Sequence, residues 1–157
     1  TGKAKKVEAI RIKITEKVQP APTISYEAHV RNIGWMYPVS AGAIAGTTGR
    51  ALPAEAIKIN TSNIPEGVQI NYRAHVQDIG WMNWTTAGNL AGTTGKAKKL
   101  EAIEITLSGP NASKYSIEYQ AHVSNIGWQG VVSNGQTAGT TGRNLPIEAL
   151  KINLKLK

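Results

Sequence analysis

One decapeptide occurs three times in this chain, as YEAHVRNIGW (Tyr26 to Trp35), YRAHVQDIGW (Tyr72 to Trp81) and YQAHVSNIGW (Tyr119 to Trp128). His29, His75 and His122 are therefore 46 and 47 residues apart, and Trp35, Trp81 and Trp128 keep the same intervals. Each copy is followed by A-G-T-T-G (45–49, 91–95, 138–142) and then by E-A-I or E-A-L. Self-similarity at this period belongs to stacked or symmetric repeats and rules out a single irregular domain. From each His to the next Glu the distance is always 26 residues (29 to 55, 75 to 101, 122 to 148). From each Glu to the next His it is 21, 20 and 21 residues (8 to 29, 55 to 75, 101 to 122), through dissimilar segments containing TEKVQPAP, NTSNIPEG and SGPNASKYS. The constant block is the rigid unit, and the variable segment is a surface turn that tolerates insertion.

The 157 residues read as one domain, 1–157, with repeat blocks 26–60, 72–107 and 119–154 and an N-terminal half repeat, 1–14. That half repeat, TGKAKKVEAIRIKI, nearly duplicates TGKAKKLEAIEITL at 94–107, so four E-A-I segments face three A-H-V segments. A fragment cut from within an array is the simplest reading; a permuted or designed three-fold domain is the alternative. Three-fold closure uses three E-A-I strands. One terminal copy is thus expected to be unpaired, to substitute for the other, or to pair with a neighbouring molecule. Burial of both Ile10 and Ile152 in one closed set of sheets would contradict this count.

Both constant-length segments alternate with a period of two, which predicts half-buried strands. Val68, Ile70, Tyr72, Ala74 and Val76 share one face, and His75 lies on the other beside Arg73 and Asn71. In 101–107 the apolar face is Ile103, Ile105 and Leu107, with Glu101 at its end on the same face. The variable turn is expected to join the two strands in an antiparallel hairpin. Between His and Glu, one or two short strands at most are expected. No helical period competes. The fold class is all-β, in three pseudo-symmetric repeats; a β-prism-like arrangement is favoured, with a β-trefoil-like one as the close alternative, since both remove free sheet edges.

Composition narrows the chemistry. With no Cys there is no disulfide frame, zinc knuckle or thiol nucleophile. Of 10 acidic residues only Asp78 is Asp, which disfavours a calcium cage. No apolar run reaches the ~20 residues of a membrane span, and no signal peptide is visible. The net charge is +8, and Lys3, Lys5, Lys6, Lys96, Lys98 and Lys99 supply six of it from two homologous T-G-K-A-K-K loops. These patches read first as solvated loops and second as a site for an anionic polymer such as teichoic acid. Nucleic acid ranks well below it, because Arg and stacked aromatics do not accompany the charge.

No G-x-S-x-G, H-E-x-x-H or Walker loop is present. A hydrolase needs two carboxylates or a nucleophile–base pair in one cleft, so three separated His/Glu pairs argue against an enzyme. No cofactor or metal is expected. His29, His75 and His122 with Glu8, Glu55, Glu101 and Glu148 are read as a structural network, each Glu accepting backbone N–H or Thr hydroxyl bonds, since an unpaired buried carboxylate costs several kcal/mol. Trp35, Trp81 and Trp128 are read first as core plugs beside a Gly and second as platforms for a sugar ring. Asn32, Asp78 and Asn125, one residue before each I-G-W, suit a sugar hydroxyl or a turn. If the repeated Trp is buried, Tyr37 and the non-recurring Trp84 are the better aromatic candidates.

The composite pattern Y-x-A-H-V-x-x-I-G-W, then G-x-x-A-G-T-T-G and E-A-[IL]-x-I, resembles the ChW repeat, the clostridial hydrophobic repeat with its signature Trp. The third copy, IGWQGVVSNGQTAGTTG, is the best fit. Copies one and two differ, with AGAIAGTTG and AGNLAGTTG, and the family's second aromatic corresponds to Pro38, Trp84 and Val131. The resemblance implies a secreted or surface protein of Gram-positive bacteria, with repeats in threes appended to enzymes or adhesins. It also implies binding of cell-wall glycan, other carbohydrate or protein.

Overall fold

A computed structural model describes residues 2–16 and 21–157. Six long strands carry the fold: β1 (Thr23–Val30), β5 (Ala54–Ser62), β6 (Gln69–Val76), β10 (Leu100–Ser108), β11 (Tyr115–Val123) and β15 (Ile147–Leu156). Between the long strands of each repeat lie three short ones, where at most two were expected. They are β2 (Gly34–Trp35), β3 (Val39–Ser40) and β4 (Ala45–Gly46) in the first repeat, then β7 (Gly80–Trp81), β8 (Thr85–Thr86) and β9 (Leu90–Gly92). The third repeat has β12 (Gly127–Trp128), β13 (Val132–Ser133) and β14 (Thr137–Gly139).

The expected hairpin across the variable turn does not form. β1 pairs antiparallel with β5, β6 with β10 and β11 with β15, so each Y-x-A-H-V strand takes the E-A-I strand that follows it. Between β5 and β6 and between β10 and β11 the variable turn instead connects one sheet to the next. Alternation told which face of each strand is apolar, but it carries no information about which apolar strand is the partner.

Three five-stranded sheets result, and each borrows a strand from another repeat: β9 pairs β5, β14 pairs β10, and β4 of the first repeat pairs β15 of the third. The last pairing closes the ring. The inner faces form one continuous core, including Tyr26, Tyr72 and Tyr119 with Ile57, Ile59, Ile103, Ile105, Leu150 and Ile152, all essentially inaccessible.

The three tyrosines stitch the repeats together. Each hydroxyl accepts the backbone N–H of an isoleucine in the preceding sheet, Ile152 to Tyr26 at 3.0 Å, Ile59 to Tyr72 at 3.2 Å and Ile105 to Tyr119 at 3.1 Å. Each hydroxyl also donates to a backbone carbonyl of its own repeat, Ala43, Asn89 or Gln136. The borrowed strand ends before this isoleucine, so the phenol satisfies an N–H that would otherwise be buried without a partner. Burial pushes all three phenols above their ordinary value of 10.0, against the opposing pull of the isoleucine N–H.

Residues 2–16 form no strand, and Val7, Ile10, Ile12 and Ile14 are 76–87% exposed. The surplus E-A-I copy is therefore the N-terminal one. Ile152 is buried and Ile10 is not, as the count of strands requires.

Candidate functional site

Each repeat assembles the same group on the outer face of its long strand pair. A bulge interrupts the pairing just past His29, His75 and His122, where Val30 faces Ala54, Val76 faces Leu100 and Val123 faces Ile147. Glu55, Glu101 and Glu148 are the extra residues. Strict alternation placed Glu101 on the apolar face. The bulge instead swings each Glu toward the histidine, as such an insertion re-aims a side chain. The three glutamates are 5–6% exposed, and their carboxylates lie 3.4, 3.0 and 3.4 Å from Nδ1 of His29, His75 and His122.

The His–Glu contact is real, but the expected threonine bonds are not made. Thr47, Thr93 and Thr140 have buried hydroxyls without a partner, and the three Nδ1 atoms lack a well-directed hydrogen bond despite their proximity to the carboxylate. Buried polar atoms left open cost about 1–3 kcal/mol each. The same pair of atoms, one from His and one from Thr, recurs in all three repeats, enclosed beneath the surface between the histidine strand and the A-G-T-T-G segment. Glu8, the fourth glutamate of the set, is exposed and faces no histidine.

The site spans two repeats. The backbone N–H of Thr93 donates to Glu55 O at 3.1 Å, that of Thr140 to Glu101 O at 3.0 Å, and that of Thr47 to Glu148 O at 3.0 Å. The glycine before each threonine has φ of 96–104°, and a Cβ there would collide with the same glutamate carbonyl. This is why A-G-T-T-G carries Gly at that place. In the first sheet an open cleft of about 430 Å³ lies between His29, Arg31, Asn32 and Glu55 on one side and Gly95 and Ala97 of the second repeat on the other. Arg31 bridges it, 3.4 Å from Glu55 Oε2 and donating to Ala97 O at 2.7 Å. In the second sheet Lys99 makes the corresponding crossing to Asn144 O at 2.9 Å.

The repeated tryptophans are not core plugs. Trp35 is 38% exposed, Trp81 and Trp128 are half-buried, and none belongs to the core cluster. Each pairs in register with its histidine, so the indole sits on the outer face. The imidazole meets it edge-on at 5.3–5.4 Å. The core volume assigned to Trp is filled by Tyr, whose hydroxyl has partners there.

A cation covers each indole: Lys58 at 5.0 Å from Trp35, Arg73 at 4.6 Å from Trp81, and Lys151 at 4.6 Å from Trp128. Sequence reasoning passed over these residues. The signal was present at two positions that face each other across the strand pair, occupied by Glu27 and Lys58, then Arg73 and Glu104, then Gln120 and Lys151. Each repeat carries one cation between them. Trp84 shares Arg73 with Trp81, at 4.7 Å, so the second repeat alone holds two indoles against one guanidinium. Arg73 is held there by Glu104 at 2.7 Å, and Glu104 accepts the Thr137 hydroxyl at 2.7 Å. Tyr37 is 94% exposed and joins no site.

Asn32, Asp78 and Asn125 have φ of 62–66°. They recur because the turn between the histidine strand and the tryptophan strand needs a left-handed residue, which Asn and Asp adopt at low cost. Of the lysines, Lys98 pairs with Asp78 at 2.8 Å, while Lys3, Lys5, Lys6 and Lys96 are exposed. No helix is long and apolar enough to cross a membrane among the described residues.

The profile of the family described as ChW, Clostridial hydrophobic W, matches residues 29–63, 75–109 and 122–155, more than half of the chain. Each match begins at the site histidine and runs through the paired strand. No curated protein and no solved structure matches the chain.

Proposed function

The chain belongs to the clostridial hydrophobic W family, and from that premise we propose that it is a non-enzymatic, extracellular binding module for carbohydrate or cell-wall polymer, multivalent through three equivalent sites. One observation carries this reading. Three partly exposed indoles each stand beside a His–Glu pair and a cationic side chain, at a junction between repeats. A partly exposed aromatic ring beside polar and charged side chains suits a sugar, which offers C–H faces and hydroxyls together. Exposed Lys3, Lys5, Lys6 and Lys96 favour polymers that also carry negative charge.

Repetition strengthens weak sites without adding contacts. Replacing one of Trp35, Trp81 or Trp128 with Ala is expected to weaken retention on purified cell walls about tenfold, with the fold intact by circular dichroism. Replacing all three is expected to abolish retention. Soluble glycan should quench or shift Trp fluorescence and compete the protein off the wall. A folded protein silent both on glycan arrays and in wall pull-downs ends the proposal.

A protein partner is the second reading, favoured by Ile33, Ile79 and Ile126, which are 42–47% exposed beside the tryptophans in all three repeats. It predicts retention that protease treatment of the surface removes and free sugar leaves unchanged.

A further inference from the structure

The ring has one closing place and two segments shaped to fill it. Tyr119 takes the N–H of Ile105, 14 residues before it, and Tyr72 that of Ile59, 13 residues before it. The residue 14 before Tyr26 is Ile12, yet Tyr26 takes the N–H of Ile152, 126 residues away. By the repeat's own symmetry, 7–14 stands to β1 as β10 stands to β11. The place it would occupy is the one β15 holds against β11 and β4.

Side chain by side chain, 7–14 carries what that place requires. Val7, Ile10, Ile12 and Ile14 match Ile147, Leu150, Ile152 and Leu154, the first three of which are buried. Glu8 matches Glu148, the partner of His122, and Arg11 matches Lys151, the cation over Trp128. Ala9 matches Ala149, which is buried and pairs with Gly46. The tether also fits: Glu8 to His29 is 21 residues, as is Glu101 to His122.

We propose that 7–14 and β15 are alternative occupants of this single place, so that the ring closes through either end of the chain. Each closure completes the third His–Glu–Trp site with its own glutamate and cation. Each leaves the other end outside the ring, with an alternating apolar face exposed. Which terminal strand is free, and so able to meet another chain, is thereby set by which one closes the ring.

The test uses the full chain. Ile152→Glu is expected to keep a cooperative thermal transition with Tm lowered by no more than about 10 °C, because 7–14 takes over. Ile59→Glu, at the matching core position of a strand with no spare copy, is expected to abolish the transition. Ile12→Glu alone is expected to leave Tm unchanged, and Ile12→Glu with Ile152→Glu to abolish the transition. Loss of folding in Ile152→Glu alone, or a double variant no worse than Ile152→Glu, overturns the proposal.

A crosslink provides a second measurement in a chain that has no native cysteine. Gln120 faces Lys151 across β11 and β15. Gln120→Cys with Lys151→Cys reports closure by β15, and Gln120→Cys with Arg11→Cys reports closure by the N-terminal copy. Both pairs are expected to give an intramolecular disulfide. A folded Arg11→Cys, Gln120→Cys protein that crosslinks only between molecules, or not at all, overturns the proposal.

Discussion

Tyr26, Tyr72 and Tyr119 do two jobs that the sequence shows as one. Their place on the apolar face of an alternating strand identifies them as core, but their hydroxyls also end the exposed edge of the preceding sheet. Tyr72→Phe keeps the ring's volume and orphans the Ile59 N–H and the Asn89 carbonyl. It is expected to lose about 1–3 kcal/mol of unfolding free energy in urea titration. The same phenols set an alkaline limit. Their folded-state pKa values lie above 10.0, so the folded chain holds protons that the unfolded chain releases once pH passes that value. Stability is therefore full below pH 10 and falls as pH rises beyond it, a slope that Tyr72→Phe should reduce. The histidines and tryptophans were legible as recurring residues, but their setting was not. Only the bulge brings Glu55, Glu101 and Glu148 to the imidazoles, and a bulge leaves no mark in a period of two.

Among the elements, the short strands β4, β9 and β14 decide the architecture, although their two or three residues give the weakest strand signal. They dock because Gly46, Gly92 and Gly139 let the backbone approach the glutamate carbonyl opposite. Gly139→Ala combines a left-handed φ of 96° with a collision at Glu101 O, and is expected to destabilise by at least about 1–2 kcal/mol. Gly130→Ala, where φ is ordinary and a Cβ meets open space, should stay within about 0.5 kcal/mol of the parent. Chemical denaturation of the two variants side by side measures the difference. The variable turns between β5 and β6 and between β10 and β11 were correctly read as surface connections, while their partners were misassigned; the first variable segment, TEKVQPAP, includes residues 17–20, which lie outside the described residues. A turn's tolerance for insertion says that it is exposed, not which two sheets it joins.

At the scale of the molecule, no repeat is complete alone. Each sheet lacks a strand, and each site lacks its A-G-T-T-G wall, until another repeat supplies it. The segment 69–108, one long strand pair with its short strands, is expected to show no cooperative unfolding transition by circular dichroism. It would have neither the β14 cover nor the tyrosine bond from the next repeat. The lone Trp84 makes the second site distinct, with two indoles on Arg73. Trp84→Ala is expected to change ligand response at that site alone, readable as a smaller change in Trp fluorescence with stability within about 0.5 kcal/mol of the parent.

The all-β class, the three repeats, the faces of the long strands and the excess of one E-A-I strand followed from the sequence by itself. They are set by local alternation and by counting, and each residue type reports its own environment. Strand partners, the order in which repeats lend strands, the placement of Trp outside, and the choice of β15 over 7–14 as the closing strand were decided only by tertiary structure. These depend on which of several near-identical strands meet. When segments are as alike as VEAIRIKI and IEALKINL, local preference cannot distinguish them, and geometry makes the choice.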